Sequence, residues 1–339
     1  MKLIIPMAGR GTRVRPHSHV TPKPLLPVKG RSMVERIVDT FNRVLPVRLN
    51  EGVFVLGPDF GKNVYEMLRE ICIRHDMRPK FAVQETAEGT AHAVDAAREY
   101  LQGPGVVAFA DTVFDMDADL DFKDADVVAM VKHVEDPSRF GVAVREGDRV
   151  VELVEKPSEP ISTEALVGIY YVRELRELQG AIEGIIADNL RGKGGEFQLT
   201  DAFDRMIKRG DAFTTASVTE WLDCGTVSAL METTRRLLEK EDAGTFQGDV
   251  ENSIIIPPVY IGPDARVVDS VVGPYVSIEA GADVRRSVIE QSIVFAHAVV
   301  RGAVLADSLI GGYAHVHPGA QVLNIGDHAE ITPIPPGAP

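Results

Sequence analysis

Lys2-Leu3-Ile4-Ile5-Pro6-Met7-Ala8-Gly9-Arg10-Gly11-Thr12-Arg13-Val14-Arg15-Pro16 opens the chain as an apolar run that passes directly into glycines and arginines. The run has the length of a short buried strand. Glycine just beyond it lets the loop turn tightly and bring backbone N–H groups close to an anion. Residues 1–34 hold seven basic side chains (Lys2, Arg10, Arg13, Arg15, Lys23, Lys29, Arg31) and no acidic one, while the whole chain carries a net charge of −14. A basic island in an acidic protein predicts a local anion site. The overall acidity argues against a nucleic-acid binder, which needs a basic face.

The remaining composition narrows the class. With 339 residues, 45% hydrophobic and 25% charged, the chain suits one large domain or two, with ample core. No apolar run is long enough to span a membrane, and the opening run is too short for a signal-peptide core. Only Cys72 and Cys224 are present, which excludes a disulfide framework or a cysteine-based zinc module. A cytoplasmic setting with no membrane partner is expected.

Outward from the glycine loop, strand and helix signals alternate. Val53–Leu56, Phe81–Val83 and Val106–Phe109 read as strands. Met33–Leu45, Asn63–Arg74 and Thr90–Leu101 have helical spacing. This predicts βαβ units in a doubly wound sheet. Val127–Val131, Val142–Val144 and Val150–Val154 lie close together, the last two about a Gly147-Asp148 turn, and read as an antiparallel insertion that makes the sheet mixed. Helical segments return at Arg173–Ala187, Asp201–Arg209 and Ser228–Glu239. Together these give an α/β domain over 1–240.

The tail differs. From Ile254 to Ile331 there are 24 Val plus Ile and three Leu, a strand composition. Ile261, Ile278, Val294 and Ile310 are spaced 17, 16 and 16, and Val267, Val284, Val300 and Val316 repeat that spacing. Val272, Ile289 and Leu305 form a third row, and Ala265, Ala282, Ala298 and Ala314 precede the second row by two residues. Three apolar rungs per turn predict a parallel β-helix over 250–332, with its own core and little shared with the α/β domain. On that reading, removing the tail leaves a folded α/β domain. The tail resembles the hexapeptide-repeat family, which implies a left-handed coil.

The glycine loop can be tested against known phosphate loops. No Lys-Ser or Lys-Thr follows the glycines, so it is not a Walker loop. Gly9-x-Gly11-x-x-Val14 lacks the third glycine of a dinucleotide fingerprint, and residues 29–34 hold no acid. What remains is Thr12-Arg13 followed by Pro22-Lys23-Pro24, in which two prolines stiffen the backbone around a lysine.

Ala8-Gly9-Arg10-Gly11-Thr12-Arg13 with Pro22-Lys23-Pro24-Leu25-Leu26-Pro27 resembles the GxGTRxxP…PKPLxP motif of the sugar-1-phosphate nucleotidylyltransferases. The shorter loop is nearer the uridylyltransferase form than the AGGxGTR of many thymidylyltransferases. The resemblance covers roughly residues 1–240. It implies the reaction of a nucleoside triphosphate with a sugar 1-phosphate to give a nucleoside diphosphate sugar and pyrophosphate, with Mg²⁺. It further implies that Arg13 and Lys23 are catalytic cations and that Ala8, Gly9, Gly11 and Thr12 hold the nucleotide.

Later segments follow the family's order. Ala110-Asp111, where the family usually has Gly-Asp, ends a predicted strand, and Trp221-Leu222-Asp223-Cys224-Gly225-Thr226 resembles WxDxGT. Asp111 and Asp223 are thereby implied as the metal carboxylates, two hard-oxygen ligands being enough for Mg²⁺. Gln84, whose amide offers both a donor and an acceptor to a pyrimidine imide edge, and Gly89, which would let the ring lie against backbone, are the implied base site. His92 beside them reads as structural or surface.

Phe140-Gly141-Val142, Glu155-Lys156-Pro157, Val167-Gly168-Ile169-Tyr170 and Gly195-Glu196-Phe197-Gln198-Leu199-Thr200-Asp201 resemble the family's sugar-phosphate segments, without its frequent Asn near Gly168. Gly141, Glu155, Lys156, Gly168 and Glu196 are the implied sugar-phosphate residues. Glucose 1-phosphate with dTTP or UTP is the expected pair, in a homo-oligomer. A purine-using relative making ADP-glucose or GDP-mannose, or a second, acyltransferase activity in the coils using His297, His315 or His317, is the alternative. All three histidines are expected near coil corners.

Overall fold

The computed structural model describes residues 1–317 except 10, 118, 119, 123 and 242–245, and of Lys193 only the backbone. The strand Lys2–Pro6 lies at the centre of the main sheet, paired in parallel with Glu51–Leu56 and with Gly105–Ala108, and Arg78–Val83 adds a further parallel strand outside Glu51–Leu56. Glu164–Val172 runs antiparallel to Gly105–Ala108 and brings in the hairpin Gly141–Glu146/Arg149–Glu155 and the strand Val127–His133. Phe213–Ser217 closes that side in parallel with Val127–His133. The sheet is mixed, as the sequence predicts. All three parallel strands that surround the opening loop end at the same edge, where open α/β sheets bind ligands.

Local chemistry fixes the helices. Met33–Val44 begins at Ser32, whose hydroxyl accepts from Glu35 N at 3.2 Å, and it buries Met33, Val34, Ile37, Val38, Phe41 and Val44 on one stripe. Val227–Lys240 begins at Thr226, which caps Ala229 N at 3.1 Å. It ends against the Lys29 ammonium, which donates to the carbonyls of Leu237 and Glu241 where the helix dipole is negative. Among the described residues no helix is long and apolar enough to cross a membrane.

The tail forms three sheets of short parallel strands, consistent with a left-handed β-helix. The three rows read from sequence are in register. Val267 faces Val284, then Val300 and Val316; Ile261 faces Ile278, Val294 and Ile310; Val272 faces Ile289 and Leu305. A further row escaped the sequence reading. The hydroxyls of Ser253, Ser270 and Ser287 each accept from a backbone N–H one coil on, at 3.0, 3.1 and 3.2 Å. They satisfy backbone donors at a corner where the ladder lapses. Residues 318–339, including Ile331, lie outside the described residues.

The tail does have its own core, built on Val267, Ile278, Val284 and their neighbours. The expectation that it shares little with the α/β part is wrong. Ile293 and Phe295, with Leu309 packed beside them, belong to a cluster that includes Val14, Leu26, Val28, Met33, Cys224, Leu230 and Leu237. A repeat row shows which residues face inward along the stack. It says nothing of what the outer face of a coil meets.

Candidate active site

The opening loop leaves the sheet at Pro6, and Gly11 takes a left-handed conformation with φ 55°. A Cβ on Gly11 would lie 2.9 Å from Lys23 Cβ, and Ser18 Oγ donates to Gly11 O at 2.7 Å. Glycine is therefore required twice at this position, by its dihedral and by the closeness of Lys23. Thr12–Val14 and Lys23–Leu25 each form one short helical turn. Nothing would meet a Cβ on Gly9 within 4 Å, so the loop faces open space there.

Lys23 is buried, and its ammonium stands 3.5 Å from Asp111 Oδ2. Asp111 follows the strand Gly105–Ala108, so the cation and the carboxylate come from adjacent strand ends. Glu220–Asp223 pairs antiparallel with Thr112–Asp115 so that Asp223 faces Thr112, and Cys224 N donates to Asp111 O at 3.2 Å. This places Asp223 beside Asp111. Asp223 Oδ1 accepts from Gly225 N at 2.7 Å, and a Cβ on Gly225 would lie 3.5 Å from Arg13 Nη2. Arg13, Lys23, Asp111 and Asp223 thus converge on one spot. Cys224 lies within it, but burial pushes its thiol up to about 12, which keeps it protonated and inert.

The rest of the basic island does not converge. Lys2 donates to the carbonyls of Tyr100 and Gln102, Lys29 pairs with Glu241 at 3.3 Å, and Arg31 pairs with Asp39. These cations are consumed in tying elements together. Arg15 is exposed, and Arg10 lies outside the described residues. Of the seven charges in this segment, at least three are therefore taken up by partners within the fold.

Gln84 is buried at the end of Arg78–Val83, with its Nε2 3.1 Å from His92 Nδ1 and 3.5 Å from Gly89 O. His92 therefore has a motif partner that sequence reading missed. It stands where it orients the Gln84 amide, and its place in the first turn of the helix after Gly89 gave no sign of that partner. Gly89 has φ 121°, and a Cβ there would lie 2.4 Å from Phe197 O. Phe197 N donates to Glu88 O at 2.8 Å and Ala91 N to Phe197 O at 2.9 Å, so the close approach at Gly89 is made by the segment bearing Glu196.

On the other side, a Cβ on Gly141 would meet Glu155 Oε2 at 2.9 Å, and Glu155 Oε1 stands 3.7 Å from Lys156 Nζ. Thr200 Oγ1 lies 3.5 Å from Glu155 Oε2. The Glu196–Asp201 segment thereby joins the Gln84 and Glu155 regions. Asp201 behind it is pushed above its ordinary range by burial, then by the charges of Asp204 and Glu155. Phe140 packs on Trp221 with ring centroids 4.7 Å apart, linking the Gly141 strand to the Asp223 segment. Gly168 has φ 83° at a register shift in Glu164–Val172, and its carbonyl accepts from Phe109 N at 3.0 Å.

The two carboxylates suit a hard divalent cation. Among the described residues no group of three or more His, Cys, Asp or Glu is placed to hold a metal. A metal held here would draw its remaining ligands from water and from substrate phosphates, as Mg²⁺ does. Of the coil histidines, His297 stacks on Tyr313 at 4.9 Å, and His315 opens the strand His315–Val316 just after the turn at Gly312-Tyr313. His315 and His317 are both exposed.

Both parts of the chain resemble known proteins. A glucose-1-phosphate thymidylyltransferase of Streptomyces griseus is 29% identical over 362 residues, 97% of this chain and 98% of that one. The bifunctional protein GlmU of Methanococcus aeolicus is 29% identical over 261 residues, covering 76% of this chain and 59% of its own. The fold matches a UDP-glucose pyrophosphorylase complexed with UDP-glucose at a TM-score of 0.58 and 22% identity, over 71% of this chain and 99% of that one. Residues 242–300 match the model described as GlmU-like, C-terminal hexapeptide. Residues 2–240 match the model described as Nucleotidyl transferase, and the chain belongs to that family.

Proposed function

We propose that the chain transfers a nucleotidyl group from a pyrimidine nucleoside triphosphate, dTTP or UTP, to glucose 1-phosphate and releases pyrophosphate. The observation that carries this reading is the convergence of Arg13, Lys23, Asp111 and Asp223 at the carboxyl edge of the sheet. A phosphate oxygen of the sugar 1-phosphate attacks the α-phosphorus, the bond from that phosphorus to the bridging oxygen breaks, and pyrophosphate leaves with the electron pair. The reaction joins two polyanions, so it depends on fixed positive charge and in-line positioning. Lys23 and Arg13 supply charge to the phosphates in transit, and Ala8, Gly9, Gly11 and Thr12 offer the loop on which the triphosphate rests. Asp111 and Asp223 hold Mg²⁺, which when bound neutralises phosphate charge.

Gln84, oriented by His92, reads the imide edge of the base, with Gly89 keeping its loop tight against the Glu196 segment. Lys156 holds the sugar phosphate, and Glu155 and Glu196 accept from sugar hydroxyls in a pocket shaped by Gly141 and Gly168. The coils act as support rather than as a second active site: His315 and His317 are exposed, and His297 stacks on Tyr313. The test is pyrophosphate release measured across five nucleoside triphosphates and four sugar 1-phosphates. Turnover highest with a pyrimidine nucleotide and glucose 1-phosphate is expected. Preference for ATP or GTP would overturn the base assignment.

A further inference from the structure

The segment from Gly11 to Gly30, which carries both Arg13 and Lys23, leans on the coil stack at two places. At one end His17 meets Phe295 edge-on, ring centroids 5.7 Å apart, and a Cβ on Gly311 would lie 3.5 Å from His17 Nδ1. Val14, the residue after Arg13, is fully buried in the cluster that holds Ile293 and Phe295. At the other end the Lys29-Gly30 turn joins the paired strands Pro27–Val28 and Arg31–Ser32. Gly30 N donates to Glu279 Oε1 at 3.2 Å, and a Cβ on Gly30 would fall 2.2 Å from the Tyr260 hydroxyl. Leu26 and Val28, between the two places, belong to the same mixed cluster.

We propose that Phe295 and Glu279 are positioning residues for the catalytic cations, acting through His17 and Val14 on Arg13 and through Gly30 on the turn that follows Lys23. The inference rests on the assignment of Arg13 and Lys23 to catalysis. Its physical basis is that a short irregular loop holds its side chains only as well as the surfaces packed against it. Misplacement of a charged group by about 1 Å costs a large part of the rate. The α/β part covers one side of this loop and the coils cover the other. An active centre whose residues all lie within the first 240 therefore takes its geometry from residues near 279 and 295.

The test compares the full-length chain with Phe295→Ala, Phe295→Leu, Glu279→Ala, Glu279→Gln and Val294→Ala. Val294 is fully buried in the coil core and has no place in the mixed cluster, so its variant loosens the stack without touching the loop. Steady-state kinetics of pyrophosphate release and amide hydrogen exchange over residues 11–30 are measured for each. Phe295→Ala is expected to lower kcat about 10-fold or more with KM for the sugar phosphate nearly unchanged. It should also speed exchange over residues 11–18, with Phe295→Leu recovering most of both. Glu279→Ala, which removes the acceptor of Gly30 N, is expected to lower kcat and to speed exchange over residues 26–30, with Glu279→Gln, which keeps an oxygen acceptor, recovering most of both. Wild-type kcat and exchange in Glu279→Ala would remove Glu279 from the proposal. Wild-type kcat and wild-type exchange in Phe295→Ala overturn the proposal, as does an equal fall in kcat in Val294→Ala. If the wild-type chain releases no pyrophosphate with any substrate pair, the nucleotidyl-transfer reading fails by itself. Exchange over 11–18 then decides whether the coils hold the loop.

Discussion

The Lys23 ammonium stands 3.5 Å from Asp111 Oδ2, with the lysine side chain 9% exposed and the carboxylate 56% exposed. The cation is sunk into the protein while its partner remains open toward solvent. Coulomb attraction is strengthened on the buried side, and the carboxylate keeps a free face for a metal. Lys23→Ala should reduce turnover by about 10²-fold or more, because charge developing on the phosphates loses a fixed partner. Arg13→Ala should do the same. Pyrophosphate release checks both, and near-normal rates in either variant would remove that residue from the centre.

The carboxylates should report on metal. Chelation with EDTA is expected to abolish turnover and added Mg²⁺ to restore it. Asp223→Asn keeps an oxygen that can accept from Gly225 N, so the turn survives while the charge is lost. A higher Mg²⁺ requirement with unchanged melting temperature is the expected pattern. Asp111→Asn should show the same requirement with a lower melting temperature, since it strands the buried Lys23 ammonium. A rate indifferent to chelator would exclude both aspartates as ligands.

Glu279 is fully buried, and burial pushes its carboxyl above the ordinary range against the opposing pull of Ser277, Gly30 and Arg36. The folded state keeps a proton that the unfolded chain has released, so this contribution to stability is present at low pH. It is lost as pH rises through the raised value. As pH rises from the ordinary carboxylate range through the raised value, the wild type should therefore lose unfolding free energy relative to Glu279→Gln, which has no such proton. Urea unfolding of both proteins at several pH values measures the difference. Parallel curves would mean that the buried carboxyl titrates normally.

Gly89→Ala should be among the most damaging single changes. It places a methyl group at φ 121° and 2.4 Å from Phe197 O, which the loop can relieve only by moving apart from the Glu196 segment. A loss of about 2–4 kcal/mol is expected, combining backbone strain with overpacking. Thermal or urea unfolding checks it, and a change under about 0.5 kcal/mol, the size of an ordinary surface substitution, would contradict the geometry.

Much of this was legible in the residues themselves. The rows through Val267, Ile278 and Val272 gave the register of the tail because inward-facing apolar positions repeat with the coil. The order of Gly11, Lys23, Asp111 and Asp223 along the chain pointed to groups that do meet, because all are set at or beside ends of adjacent strands. The pairing of Gln84 with His92 was not legible, since a histidine in a first turn looks the same whether or not it has a partner. Nor was the fate of Lys2, Lys29 and Arg31, because composition counts charges without saying which carbonyl or carboxylate each will meet. The docking of Phe295 and Glu279 on the loop lay beyond periodicity altogether, because it is a contact between the outer face of a repeat and an irregular segment.

The two places where the loop leans on the stack are fixed to different coils. Gly30 meets Tyr260 and Glu279 in the first two, and His17 meets Phe295 and Gly311 in the next two. Successive coils are spaced about 4.8 Å apart, the separation of hydrogen-bonded strands. The stack is thus a gauge block, and the separation of Gly30 from His17 is read off against it. Repeat architectures ordinarily gain or lose whole units freely, because each unit meets only its neighbours. Here an inserted or deleted coil between Ile278 and Ile293 would leave every ladder closed and every row in register, yet it would offset one end of the Gly11–Gly30 loop from the other by a full strand spacing. The length of this repeat is set by the enzyme it adjoins.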